Sequence, residues 1–255
     1  MLEVNNLGYR LKNGASLLEG IHFQAGPGEL IALLGENGAG KSTLLQQLAD
    51  GQQQAVRFDG KPLASWSLAE LARRRAFLGQ HPANPAAMTG AELVALGRAP
   101  FHETAAATQA ACNLSLEACQ ALDLANRPLT ALSGGQRARL HLARVLCQLQ
   151  AVTRPLLLLD EPTAALDLAA QHQLLAQVSA LVARGALVIW VVHDLNLACQ
   201  YASRLLLLKG GLLLADLAPN ELSPSLASRL YNHPMHCHRL GTPPYAFWQA
   251  QLGVP

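Results

Sequence analysis

The chain predicts an α/β fold with a central parallel sheet, and three features carry that prediction. Short runs that are apolar throughout recur at residues 30–34, 156–159 and 187–192, each ending on glycine or polar residues. Strands apolar on both faces belong in a sheet covered by helices. Helix-spaced segments follow, at 43–49 and at 167–184, where Leu168, Leu174, Leu175, Val178, Leu181 and Val182 recur before Gly185 stops the run. Strand, loop and helix alternating in this way make an α/β core.

From the N terminus, the stretch through Phe58-Asp59-Gly60 reads as a small antiparallel layer beside that core. Ala76-Phe77-Leu78-Gly79 reads as a strand that delivers Gln80. Between 81 and 149 the pattern changes. Alanine-rich helical stretches at 91–96, 104–124 and 136–149 are broken by Pro82, Pro85, Pro100 and Pro128, which reads as a helical insertion between core strands. Leu205 to Leu214 reads as a hairpin around Gly210-Gly211. The expected organisation is one domain over 1–255: core at 1–80 and 150–215, helical subdomain at 81–149, C-terminal segment at 216–255.

Half of the 255 residues are apolar, enough to bury a large core. A net charge of +2, with Arg73-Arg74-Arg75 read as a solvated helix face, excludes a nucleic-acid partner from the expectation. The opening Met1-Leu2-Glu3-Val4-Asn5 lacks a basic-then-apolar leader, and no apolar run approaches the ~18 residues of a membrane span. The expectation is a soluble, cytoplasmic protein. Cys112, Cys119, Cys147, Cys199 and Cys237 are odd in number and scattered, as reduced packing thiols are, and they make no structural zinc site.

The chemistry begins at Gly35-Glu36-Asn37-Gly38-Ala39-Gly40-Lys41-Ser42-Thr43, which matches G-x-x-x-x-G-K-S in full between a strand and a helix. Glycines let the backbone wrap phosphates, Lys41 reaches the β- and γ-phosphates, and the Ser42 hydroxyl can ligate Mg²⁺. Asp160-Glu161 ends a four-leucine strand, giving Asp160 to magnesium and Glu161 to the attacking water as general base. His193 ends another strand, where α/β sheets place ligands, and is read as a γ-phosphate contact that orients water. Gln80 can bring its amide to magnesium or to that water. Leu132-Ser133-Gly134-Gly135-Gln136 opens a helix and offers a second anion site. Two such sites in one chain point to nucleotide bound between two copies of it.

Glycine loop, Gln80, LSGGQ, LLLLDEP, Ala165-Leu166-Asp167 and His193 occur in an order that resembles the nucleotide-binding subunits of ABC transporters over nearly the whole chain. The resemblance implies a P-loop NTPase of the ABC type, with a RecA-like parallel-sheet core, an antiparallel β layer and an inserted α-helical subdomain. It implies ATP and Mg²⁺, and a head-to-tail homodimer in which the signature at 132–136 completes the partner's site. Ser133 and the Gly134 and Gly135 amides would cap the γ-phosphate, Asp167 would link the two sites, and Tyr9 would stack on adenine. A polytopic permease, in two copies by the family's pattern, and a periplasmic or extracellular substrate-binding protein would complete the system. The chain would then work at the cytoplasmic face of the inner membrane.

Leu96-Gly97-Arg98-Ala99-Pro100, Arg73-Arg74-Arg75-Ala76 and His193-Asp194-Leu195-Asn196-Leu197 resemble importers of iron complexes, haem and vitamin B12, and Gly97 to Pro100 is nearest the haem-import ATPases. Pro62 to Ser67 and Leu208-Lys209-Gly210-Gly211 look like the vitamin B12 ATPase. Gly79 departs from the bulkier or prolyl residue usual in the family. The alternatives are a vitamin B12 or ferric-siderophore importer, a soluble ABC ATPase without permease, and a regulator that does not turn ATP over. Translation- and repair-type ATPases carry second cassettes or coiled-coil and zinc insertions, which this chain lacks, and the intact Lys41, Asp160, Glu161 and His193 argue against the regulator. His233-Pro234-Met235-His236-Cys237-His238, a tempting metal or haem cluster, is read as a solvated C-terminal segment.

Overall fold

The computed structural model of the chain describes residues 1–85, 87–164, 166–240 and 245–250. Ala165 of the Ala165-Leu166-Asp167 string, and residues 241–244 and 251–255 of the C-terminal segment, lie outside the described residues. In chain order the elements are β1 (Leu2–Arg10), β2 (Ser16–Ala25), β3 (Leu30–Leu34), α1 (Lys41–Ala49), β4 (Val56–Phe58), β5 (Lys61–Pro62), α2 (Leu68–Ala72), β6 (Arg75–Leu78), α3 (Gly90–Ala95), α4 (Ala105–Ala118), α5 (Gly134–Leu149), β7 (Leu156–Asp160) and α6 (Leu168–Ala183). After β8 (Leu187–Val191) come α7 (Leu195–Tyr201), β9 (Arg204–Lys209), β10 (Leu212–Leu217), α8 (Pro224–Tyr231), β11 (Met235–Leu240) and β12 (Tyr245–Ala250). The chain divides into two units, Met1–Ser65 with Ile189–Pro255, and Trp66–Val188.

In the first unit β1 pairs antiparallel with β2 and β4, and β4 with β5, which forms the expected N-terminal layer. Leu2, Val4 and Leu7 of β1 stand opposite Ala25, Phe23 and Ile21 of β2, and all six are buried, as is Leu18. Asn6, at φ 55°, interrupts the alternation between Val4 and Leu7. Wholly buried β3 pairs parallel with β9, Leu33 opposite Leu206. β9 and β10 form the expected hairpin, and Gly210 and Gly211, at φ 55° and 80°, supply the two positive φ values of a tight primed turn. Gly211 is required twice over, since a Cβ there would lie 2.4 Å from the Leu17 carbonyl oxygen.

In the second unit β6 and wholly buried β7 run parallel, and α3, α4 and α5 form the helical part. The Gly97 turn presses on α5 so closely that a Cβ would stand 2.4 Å from the Arg144 carbonyl oxygen. Gln148 fastens the same C-terminal end of α5, its amide donating to the Ala72 (2.7 Å) and Arg75 (3.0 Å) carbonyls. The helix expected through 124 stops at Ala118, because Gln120 turns left-handed at φ 49°.

One expectation needs correction. Arg73-Arg74-Arg75 is not a helix face: Arg73 caps α2, Arg74 lies 5.3 Å over the Trp66 ring, and Arg75 begins β6. Residues 233–238 are solvent-exposed as read, with His233, Pro234, His236 and His238 exposed, but from Met235 they are ordered as a strand. Met235 to His238 belong to β11, which pairs antiparallel with β12, and Cys237 is half-buried. Among the described residues, no three His, Cys, Asp or Glu side chains gather as a metal site, and no helix is long and apolar enough to cross a membrane. Cys112, Cys119 and Cys147 are buried free thiols. Burial pushes Cys119 and Cys147 up to about 12.

Candidate functional site

The first unit carries the glycine loop directly behind β3. A Cβ on Gly35 would stand 2.2 Å from the Leu208 carbonyl oxygen, so the loop can lie on the end of β9 only without a side chain. Gly40 caps α1 at φ 98°, a left-handed conformation that turns the backbone into the helix with no side-chain cap. The first N–H groups of α1 therefore face the loop's interior without an intrahelical acceptor, as an anion requires. Lys41 is 5% exposed, and its ammonium donates to the carbonyls of Gly35 and Glu36, 2.9 Å each. Those carbonyls hold the charge where phosphate oxygens can replace them.

Glu36 is held as well. The Asn232 amide nitrogen donates to its carboxylate at 2.7 Å, and Lys209 donates to the Asn232 amide oxygen at 2.6 Å. Asn37 and Gly38 are exposed, Ala39 is buried, and Ser42 and Thr43 are half-buried in the first turn of α1. Tyr9 is half-buried on β1 opposite Leu18, whose side chain is the nearest neighbour a Gly40 Cβ would meet, at 2.7 Å. His193 lies exposed just past β8, where the Val192 N–H donates to the Leu33 carbonyl. Asp194 caps α7 immediately behind it, accepting from the N–H groups of Asn196 (2.7 Å) and Leu197 (3.2 Å). The imidazole thus stands at a junction pinned on both sides.

The second unit brings Gln80 and Glu161 together: the Gln80 amide nitrogen donates to a Glu161 carboxylate oxygen at 2.8 Å. Asp160 ends β7 at 2% exposure, whereas Glu161 is half-buried at φ 51°. A left-handed glutamate costs conformational energy of order 1 kcal/mol and is the kind of strain kept at working sites. Here the turn is held by the Ala164 N–H on the Glu161 carbonyl and by Gln171, whose amide donates to the Thr163 and Leu166 carbonyls.

Gln80, Asp160, Glu161 and Gly134 line one cleft of about 350 Å³. His141 lines it too, a residue the motifs did not single out because it sits mid-helix among apolar neighbours. Its Nε2 lies 2.9 Å from the Asn84 amide oxygen, and the Asn84 nitrogen donates to the Pro82 carbonyl. That second bond orients the amide, so Nε2 carries the imidazole proton. Burial, with Arg144 and Arg137 nearby, pushes His141 down to about 4.

Ser133 caps α5 in a reciprocal box, its hydroxyl accepting from the Gln136 N–H and Gln136 accepting from the Ser133 N–H. The hydroxyl proton is still available to an anion. Leu132 is buried beneath this turn, while Ser133 and Gly134 are exposed and Gly135 is half-buried. Asp167 caps α6 by accepting from the Ala170 N–H at 2.8 Å, and it shares a groove with Ser133, Gly135 and Gln136.

A family model described as ABC transporter matches residues 18–164. The hemin import ATP-binding protein HmuV of Pseudomonas fluorescens is 46% identical over 215 residues, 83% of this chain and 84% of that one. HmuV of Photobacterium profundum is 41% identical, covering 88% of this chain and 82% of that one. Among solved structures, an inward-facing ABC transporter assigned to the metal-chelate type aligns over 98% of this chain and 97% of that chain, with TM-score 0.80 and 26% identity. Another, cbiO1 of Clostridium perfringens, part of the cbiONQ ABC transporter complex, aligns over 86% and 89%, with TM-score 0.72 and 26% identity.

Proposed function

This chain belongs to the ABC transporter family, and on that premise we propose that it is the ATP-hydrolysing subunit that powers import of a haem-like iron chelate through a membrane permease. The observation that carries the nucleotide chemistry is the glycine loop itself. Lys41 is buried, its ammonium donates to the Gly35 and Glu36 carbonyls, and it opens a helix that no side chain caps. A glycine loop followed by a lysine at a helix start is suited to the negative charge of a triphosphate.

In this reading Gly35, Glu36, Asn37, Gly38, Ala39 and Gly40 wrap the phosphates, Lys41 neutralises them, Ser42 and Thr43 close the loop, and Tyr9 meets the base. Glu161 accepts the proton of the attacking water, and His193 orients that water and the γ-phosphate. The Gln80 bond fixes the Glu161 carboxylate and turns the amide oxygen of Gln80 the opposite way. Ser42, Asp160 and Gln80 each carry a hard oxygen donor of the kind that suits Mg²⁺, which when bound would offset charge on the phosphate oxygens. Leu132, Ser133, Gly134, Gly135 and Gln136 serve the site of a second copy in a homodimer, and Asp167 links the two sites. The whole of 1–255 acts as one ATP-binding domain on the cytoplasmic face of the membrane, docked to a polytopic permease that a substrate-binding protein supplies.

Support for haem as the cargo comes from the curated relatives named for hemin import, 38–46% identical to this chain. Co-purification with its permease and reconstitution in vesicles is the test. Haem should stimulate ATP hydrolysis and enter the lumen; cobalamin or a ferric siderophore doing so instead would overturn the cargo assignment. ATP hydrolysis that responds to none of them, with no permease recovered, would overturn the transport reading.

A further inference from the structure

The C-terminal segment reaches both chemistry-bearing junctions of the first unit, and each time the grip is an asparagine side chain. At one end Asn232 follows α8 in a left-handed conformation, φ 48°. Its amide accepts from the Lys209 ammonium (2.6 Å) and donates to the Glu36 carboxylate (2.7 Å), while Lys209 also donates to the Arg229 carbonyl. Few residues can do this. Asparagine tolerates the left-handed region, and its amide carries at one tip an oxygen that accepts from a cation and a nitrogen that donates to an anion. Aspartate would set a second carboxylate against Glu36, and glycine would keep the turn but lose both bonds. The joint is itself stiff: the Ser228 hydroxyl donates to the Pro224 carbonyl and accepts from the Met235 N–H, tying α8 to β11.

At the other end lies β12. Trp248 is 4% exposed, and its backbone is paired by the Asn196 side chain as a neighbouring strand would pair it. The Trp248 N–H donates to the amide oxygen at 2.7 Å, and the amide nitrogen donates to the Trp248 carbonyl at 3.2 Å. Asn196 stands three residues past His193, in the first turn of α7, whose cap is Asp194.

We propose that this segment is a brace for the nucleotide site, with Asn232 positioning the phosphate loop through Glu36 and Asn196 positioning the turn that presents His193. The inference rests on the reading of Gly35 to Thr43 as the ATP site. A loop with glycines at φ 80° and 98° loses much freedom when it closes on phosphates. Holding Glu36 in advance lowers that cost and so raises affinity, whereas holding His193 acts on the step after binding.

The test is steady-state ATP hydrolysis by the full-length chain, together with direct ATP titration and thermal melting. Asn232→Gly should raise KM about two- to fivefold, the worth of one exposed charge-assisted bond, and leave kcat unchanged. Asn232→Asp should raise KM further, and Glu36→Gln in the same chain should restore it toward the Glu36→Gln value, because the new amide donates to the new carboxylate. Asn196→Ala should lower kcat with KM unchanged. A wild-type KM in Asn232→Asp, or no restoration by Glu36→Gln, overturns the phosphate-loop arm, and a wild-type kcat in Asn196→Ala overturns the histidine arm. Lys41→Ala separates the brace from the site it serves: ATP binding that survived Lys41→Ala would refute the ATP site itself.

Discussion

Gly35→Ala probes how the phosphate loop is seated. The added Cβ would lie 2.2 Å from the Leu208 carbonyl oxygen, whereas ordinary contact begins at 3.4 Å. Leu208 lies in β9, hydrogen-bonded on both sides, to β3 and to β10, so the strand cannot give way. The loop must retreat by roughly 1 Å, carrying with it one of the two carbonyls that hold Lys41. A displacement of that size at a binding group costs about 100-fold, or roughly 2.7 kcal/mol. Gly38→Ala is the contrasting case: its Cβ meets nothing within 4 Å, and only the left-handed φ of 80° opposes it. That penalty is about 1–2 kcal/mol, some five- to thirtyfold. Titration with a fluorescent ATP analogue should rank wild type, Gly38→Ala and Gly35→Ala in falling affinity. Gly35→Ala binding as tightly as Gly38→Ala would refute the seating of the loop on β9.

Glu161→Gln keeps the shape and an acceptor for Gln80 but removes the base, so phosphate release should fall by at least about 100-fold while ATP binding persists. Ser133→Arg places a long cation on the exposed first turn of α5; ATP should still bind, while ATP-driven dimerisation in size-exclusion chromatography is lost. His141, held near 4 by burial, is neutral in the fold but gains a proton near 6.5 once unfolded. Its contribution is therefore complete above pH 6.5 and is lost as the pH falls toward 4, on the order of 3 kcal/mol across that window. Urea melts at pH 7 and pH 5 should show a smaller acid loss in His141→Gln than in wild type; equal losses would remove His141 from the account.

Where the necessary chemistry is contiguous, it could be read directly. Residues 30–43 spell a buried strand, a glycine turn and a helix start, each dictated by side-chain type and backbone freedom within a few positions. The same holds for the Gly210-Gly211 hairpin and the Ser133 and Asp167 caps, whose bonds span at most three residues. The Arg73 to Arg75 run was misread because three arginines carry no period, and only the start of β6 decides which one leaves the helix.

Other features depend on pairs far apart in the chain. Gln80 meets Glu161 across 81 residues and Asn232 meets Glu36 across 196, distances at which no local pattern records a partner. Gly35 looks like any loop glycine until the Leu208 carbonyl is found against it. Hydrophobic period and turn chemistry act over one or two turns of chain, so they select the elements and the loop that cradles an anion. Strand register and side-chain packing choose which distant amide or carbonyl arrives there, and in this protein they turned an unremarked asparagine after α8 into a support for the phosphate loop.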